Sequence, residues 1–166
     1  MDAFINFPNL EGMIIVHPKD DMHIQAIQSE KSAFPVPIWT VVGGEQRFHS
    51  VANALDKIRD IAGPQDWVCV HDAVRPCVHP SDLSKLMKML ALDPVGGILA
   101  TRVKDTLKRS DATGRITETV ERSDCWHALT PQVFRFALLD KALKHIQQRQ
   151  ISVTDDAQAV QLLGYS

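Results

Sequence analysis

The chain is poor in cysteine, with three in 166 residues, and Cys69, Cys77 and Cys125 show no CxxC spacing. An odd number of thiols set among apolar residues builds neither a disulfide framework nor a thiolate zinc site, so a reducing compartment is expected. No apolar run approaches the roughly 20 residues a membrane-crossing helix needs. The opening Met-Asp-Ala-Phe-Ile-Asn-Phe-Pro has no positive segment ahead of an apolar one and does not read as a signal peptide. Charge of one sign is also missing. Eighteen Lys and Arg against 20 Asp and Glu leave a net charge of -2, which argues against a general nucleic-acid or anionic-membrane surface and confines any phosphate site to a local patch. No G-x-G-x-x-G follows a strand pattern, which disfavours a dinucleotide-binding oxidoreductase. With no repeat, low-complexity stretch or linker, one domain over residues 1–166 is expected, in the cytoplasm, with neither nucleic acid nor membrane as partner.

What is present is a 45% hydrophobic chain with enough apolar residues for a sizeable core. Its organising stretch is Trp67-Val-Cys-Val-His-Asp-Ala-Val-Arg-Pro-Cys-Val78, a short apolar run that stops at charged residues. Val68, Cys69 and Val70 lack alternation, the pattern of a strand covered on both faces. In open α/β sheets ligands bind outside the carboxyl ends of strands, where His71, Asp72 and Arg75 follow. A carboxylate there suits a divalent metal and a guanidinium suits a phosphate. Read without further context, Asp72 is equally a loop cap with Arg75 as its ion-pair partner.

Around this strand the pattern alternates. Met13-Ile-Ile-Val16, Ile38–Val42 and Gly96–Ala100 read as further strands, bounded by Gly and Pro. Helices are predicted over Asp20–Ser29, along the Val51, Ala54, Leu55, Ile58 and Ala62 stripe up to Gly63-Pro64, and along Leu83, Leu86, Met87 and Leu90 with Pro80 in the first turn. The spacing implies an α/β fold with a mostly parallel, Rossmann-like sheet and flanking helices. Thr130-Pro131 predicts an N-cap followed by proline at the first helical position, with Phe134, Leu138 and Ala142 as the apolar face. A last helix is expected from Thr154 to Gly164, with Asp155 and Asp156 in its first turn. Residues 103–124 read differently, as a protruding β-hairpin arm turning near Gly114. Ile116 and Val120 are too little apolar surface to anchor an isolated ribbon, so the arm is expected against a second copy of the chain, or else folded on its own domain.

Taken together, Gly43-Gly-Glu-Gln-Arg-Phe-His-Ser50, Val70-His-Asp-Ala-Val-Arg-Pro76, Val103-Lys-Asp-Thr-Leu-Lys-Arg109, Thr119-Val-Glu-Arg122, Trp126-His-Ala-Leu-Thr-Pro-Gln-Val-Phe134 and Val153-Thr-Asp-Asp-Ala157 resemble, in order and spacing, the 2-C-methyl-D-erythritol 4-phosphate cytidylyltransferase family. The resemblance implies transfer of a cytidylyl group from CTP to methylerythritol phosphate, with release of pyrophosphate and with magnesium as cofactor, in isoprenoid precursor synthesis. It implies Gly43, Gly44, Ser50, Asp72 and Ala73 at the nucleotide, with Asp72 as the metal ligand. It implies Arg75, Thr106, Arg122, Thr130 and Thr154 at the second substrate. Arg122 is also the expected catalytic cation, delivered by the arm of a homodimer to the neighbouring subunit. Ser50 taken alone reads equally as a helix N-cap, and Arg122 taken alone as a solvated charge. The family's glycine-rich loop with its arginine, and its later Pro-Lys-Gln segment, have no counterpart here, nor do its further aspartate and lysine beyond Gly164. The chain is therefore expected to be a fragment of a longer enzyme, with weakened or absent turnover. A ribitol-phosphate or other polyol-phosphate cytidylyltransferase, and a non-catalytic binding or assembly fragment, are the alternatives.

Overall fold

Two short apolar runs become β1 (Met13–His17) and β2 (Ile38–Val42), paired in parallel with Ile14 opposite Trp39 and Val16 opposite Val41. This is a computed structural model, and it describes residues 2–29 and 33–166. A parallel pair needs a crossover, and α2 (Ile24–Ser29) lies within it. That helix starts later than its expected Asp20, because the Asp21 carboxylate accepts the His23 amide at 2.8 Å and holds a turn. Met22, an apolar residue within the predicted span, is 86% exposed. A short amino-terminal helix, α1 (Asp2–Ile5), was not expected from the pattern.

The predicted helical stripe forms α3 (Arg47–Lys57), whose Phe48, Val51 and Leu55 are buried. Ile58 and Ala62 pack on the same core from the turn beyond it. Next come β3 (Trp67–Val70), α4 (Pro80–Leu90) and β4 (Gly96–Arg102). Pro80 stands in the first turn of α4 as expected, with His79 as N-cap. Helix α4 buries Leu83, Leu86 and Leu90.

The main correction falls at Thr130-Pro131. These residues lie inside β7 (Trp126–Arg135), a strand of ten residues joined there by a cis peptide, and not at a helix start. The strand is antiparallel to β3 on one side, with Phe134 opposite Val68, and to β4 on the other, with Val133 opposite Gly97. Proline has no N–H to give a ladder, and the β4–β7 register shifts between Ile98 and Ala100, opposite the proline's stretch. Pairing on two sides outweighs the local cap signal. Because β3 and β4 both oppose β7, they run in the same direction as each other. The helix begins only at Phe136, as α5 (Phe136–Arg149), and its buried face is Phe136, Leu139, Ala142, Leu143 and Ile146.

Successive residues of a strand face opposite sides. Phe134 joins the main core with α3, α5 and α6 (Asp156–Gln161), while Val133 packs with Leu86 and Leu90 of α4. Helices thus cover both faces of the β3–β7–β4 sheet. The arm is β5 (Leu107–Ser110) paired with β6 (Ile116–Val120). Its turn is built by the Asp111 carboxylate, which accepts the amides of Thr113 at 2.8 Å and Arg115 at 3.1 Å, and by Gly114 at φ 84°.

Candidate nucleotide site

Strand β2 runs into Gly43, whose amide still reaches the His17 carbonyl at 2.9 Å, and then into the first turn of α3. Both glycines are required by close approach. A Cβ on Gly43 would lie 2.8 Å from Ser50 Oγ, and one on Gly44 would lie 2.4 Å from His49 Cβ. Ser50 accepts the Gly44 amide at 3.1 Å, so it ties this loop to α3. It is not the N-cap, which is Gln46 with no side-chain cap bond.

Arg47 is the first residue of α3, where the helix dipole disfavours a cation. Two carboxylates answer it. Its Nε donates to Asp72 Oδ1 at 3.1 Å and its Nη1 donates to Asp156 Oδ2 at 2.7 Å. Asp156 is 1% exposed. Burial pushes its carboxyl up, only partly offset by Arg47, with Asp155 and Asp72 adding to the rise. Burial lowers Arg47's affinity for its proton, but Asp156 and Asp72 together more than reverse that and hold it raised. Arg47 Nη2 and Asp156 Oδ1 are buried with no hydrogen-bond partner among the described residues.

Asp72 leads the loop after β3. Its second oxygen, Oδ2, accepts Arg75 Nε at 3.3 Å, and its carbonyl accepts the Arg75 amide at 3.0 Å. Thr130, buried on β7, closes the loop from behind: its Oγ1 lies 3.4 Å from the Asp72 amide and 2.9 Å from His71 Nδ1. His71 Nε2 contacts the Arg75 carbonyl at 2.9 Å. A carbonyl only accepts, so the neutral ring carries its proton on Nε2. Nδ1 then accepts the threonine hydroxyl, whose oxygen accepts the Asp72 amide. Phe4 of α1 packs at a tilt against the His71 ring, with 4.8 Å between centroids.

Asp156 is set by Gln132 of β7, itself buried. Gln132 Oε1 accepts the amides of Asp156 and Ala157, each at 3.0 Å, and its Nε2 donates to Asp155 Oδ2 at 2.9 Å. Asp155 is the N-cap of α6, accepting the Gln158 amide at 2.8 Å. Thr154 stands exposed just before it, with its amide and hydroxyl on Gln158 Oε1 at 2.7 and 3.1 Å.

The expected site residues therefore fall into two groups. Asp72, Arg75 and Thr130 are linked directly, and Arg47 ties them to the loop holding Gly43, Gly44 and Ser50 and to the entry of α6 beside Thr154. Ala73 is in the exposed turn of the Asp72 loop. Thr106 and Arg122 stand apart, lining a hollow of about 600 Å³ at the base of the arm with Arg102, Glu121 and Ser123. Arg122 Nη1 donates there to the Lys104 carbonyl. No hydrogen bond or ion pair among the described residues joins this hollow to Asp72.

For a metal, Asp72 belongs to no protein cage: no group of three or more His, Cys, Asp or Glu side chains converges among the described residues. That donor set fits magnesium, which is held by one or two carboxylates with substrate phosphates and water, and does not fit an all-protein cage. Arg47, Asp156 and Gln132 carried no role in the sequence reading. One signal was there for Arg47, since an arginine opening a helix needs an anion nearby. Asp156 and Gln132 gave none, because an Asp in a first turn and a Gln after proline are ordinary surface choices.

The family model for IspD, 2-C-methyl-D-erythritol 4-phosphate cytidylyltransferase, matches residues 1–166. The 2-C-methyl-D-erythritol 4-phosphate cytidylyltransferase of Ectopseudomonas mendocina is 42% identical over 169 residues, covering 100% of this chain and 70% of that protein. The one from Pseudomonas savastanoi pv. phaseolicola is 44% identical over 165 residues, covering 99% and 69%. A crystal structure of 4-diphosphocytidyl-2C-methyl-D-erythritol synthase superposes with a TM-score of 0.83 at 35% identity, covering 99% of this chain and 73% of that one. The Francisella tularensis cytidylyltransferase does so with 0.82 at 30% identity and the same coverage. The chain thus spans about 70% of the length of these relatives. Matched along its whole length by sequence and by fold, with a carboxylate between two arginines at the end of a sheet strand, the chain belongs to the 2-C-methyl-D-erythritol 4-phosphate cytidylyltransferase family.

Proposed function

We propose that this chain takes CTP at the carboxyl ends of β2 and β3 and serves cytidylyl transfer to 2-C-methyl-D-erythritol 4-phosphate. The observation that carries the reading is Asp72, held between Arg47 and Arg75 at a strand end, in a chain the family model matches throughout. In this reaction an oxygen of the acceptor's phosphate attacks the nucleotide's α-phosphorus, and the bond to pyrophosphate breaks. Two polyanions must meet in line, so the protein's part is positioning and charge compensation. The Gly43-Gly44 loop, with Ser50 behind it, receives the cytosine, and the turn at Ala73 brings backbone close to the nucleotide. Arg75, which the resemblance sets at the second substrate, is the exposed guanidinium available to a phosphate, and we assign it here to the polyphosphate of the nucleotide. Asp72 would hold magnesium, which when bound neutralises phosphate charge and polarises the phosphoryl group.

Arg122 and Thr106 hold the acceptor's phosphate from the arm, and we assign them to the partner's site in a homodimer. Their separation from Asp72 within one chain supports this. Thr130 and Thr154 border the acceptor side. No helix among the described residues is long and apolar enough to cross a membrane, and the cytoplasm, where CTP is made, is the proposed location. A ribitol-phosphate acceptor is not favoured, because the family model and the relatives above carry the methylerythritol phosphate name.

The test is two-dimensional NMR of the chain with magnesium and CTP, then a pyrophosphate-release assay with methylerythritol phosphate or ribitol phosphate. Amide shifts confined to 43–50 and 70–76, larger with CTP than with ATP, are expected. Turnover of the 166-residue chain itself is expected well below about 1 per second, because it lacks the glycine-rich loop's cations. CTP that moves none of these amides, or release driven only by ribitol phosphate, overturns the proposal.

A further inference from the structure

The two arginines on Asp72 differ in what holds them. Arg47 bridges two carboxylates on separate elements, 25 and 109 residues away in sequence, and its shorter bond, 2.7 Å, goes to the fully buried Asp156. Asp156 in turn cannot drift. Its amide is pinned by Gln132, which is buried within the sheet at β7. Arg75 belongs to the same turn as Asp72, three residues on. Its side chain is 51% exposed, its only bond is the longer 3.3 Å contact, and its Nη1 and Nη2 meet no partner among the described residues. A guanidinium with a free, solvated fork is set up to trade a carboxylate for a phosphate, whereas one locked between two anions is not.

Resting on the nucleotide reading above, we propose that Arg47, fastened from behind by Asp156, is the positioning residue that fixes Asp72, and that Arg75 is the exchangeable cation that leaves Asp72 for the incoming polyphosphate. The charges follow. Arg47 and Arg75 balance Asp72 and Asp156 in the free protein. Once Arg75 turns to the phosphate, the remaining Arg47, Asp72 and Asp156 carry one net negative charge. Asp72 Oδ2 is then uncovered while Oδ1 stays held by Arg47. That is a single oriented carboxylate oxygen beside bound phosphates, the form in which magnesium is taken up from a nucleotide complex. Arg47 never touches substrate in this scheme and acts only through Asp72.

The experiment uses the whole chain and three variants, Arg47→Lys, Asp156→Asn and Arg75→Ala. Hydrogen exchange is read at the Asp72 and Arg75 amides, with Val68 and Leu139 as core references. Binding of manganese and CTP is read by paramagnetic broadening. Lysine cannot span both carboxylates, so Arg47→Lys is expected to speed exchange at Asp72 and Arg75 at least tenfold with the core references unchanged, and to weaken manganese·CTP. Asp156→Asn is expected to do the same. Arg75→Ala leaves the loop's exchange as in the wild type yet weakens manganese·CTP at least tenfold. If Asp156→Asn fails to fold, Arg47→Lys alone decides. Wild-type exchange in Arg47→Lys, or a loop loosened as much by Arg75→Ala, overturns the proposal. A wild-type chain that shows no broadening with manganese·CTP refutes the nucleotide reading and the exchange of Arg75, while the fixing of Asp72 is still judged by the exchange rates.

Discussion

Asp140 on α5 holds two cations, accepting Arg59 Nη2 at 2.8 Å and Lys144 Nζ at 2.8 Å. Burial by itself raises its carboxyl, but hydrogen bonds from Arg59 and Lys144 outweigh this and hold it below the ordinary 3.8. A lowered native value means the stabilisation is complete above the unfolded-state value and drains away as pH falls through the native one. Asp140→Asn is therefore expected to cost about 1 kcal/mol at neutral pH, with the difference from wild type shrinking in acid, measured by urea unfolding at several pH values. A difference that grows on acidification contradicts the assignment. Gly96 sets a harder constraint. Its φ is +145° and a Cβ there would lie 2.1 Å from the Val133 carbonyl oxygen, so β4 and β7 approach only because the residue is glycine. Gly96→Ala is expected to destabilise by about 3 kcal/mol or more, read as a lowered unfolding midpoint.

Among the elements, β7 decides most. It pairs with β3 and β4, sends Val133 and Phe134 into opposite cores, and places Thr130 behind the Asp72 loop and Gln132 beneath α6. Helix α6 is only six residues long, too short to persist by propensity. It depends on its Asp155 cap and on Gln132 taking two of its first amides. Replacing that glutamine by an apolar residue of similar size leaves one buried and one half-buried amide without an acceptor. Gln132→Leu is thus expected to cost about 2 to 4 kcal/mol, with α6 amides exchanging first. Equal loss of protection throughout α5 and α6 would count against Gln132 as the specific clip.

For the whole molecule, the arm is the part least explained by a single chain. β5 and β6 pair with each other, and Ile116, 67% exposed, has no core to enter. Trp126 at its base is also exposed, partly covered by Arg102 at 4.5 Å. Apolar groups of this size on a polar ribbon are what the twofold-related copy proposed above would cover. The chain is expected to sediment as two copies of 18.5 kDa, and a version with residues 103–124 replaced by a short turn is expected to sediment as one, with its unfolding midpoint nearly unchanged. A strictly monomeric intact chain would refute the dimer.

Local pattern by itself determined much of this protein. Apolar runs bounded by Gly and Pro set β1 to β4, the i, i+3, i+4 stripes set α3 and α4, and the Asp111–Gly114 turn chemistry set the arm, because each depends on interactions within a few residues. The ordered motifs likewise carried the family and the place of Asp72 at a strand end. Only tertiary structure decided that Thr130-Pro131 lies within a strand, since pairing with both β3 and β4 outweighs a local helix signal. It also decided the links from Gln132 through Asp156 and Arg47 to Asp72, whose partners are far apart in sequence and meet only where α3, β3, β7 and α6 converge. Burial is what gives Asp156 its cation requirement, and burial belongs to the folded arrangement rather than to any stretch of sequence.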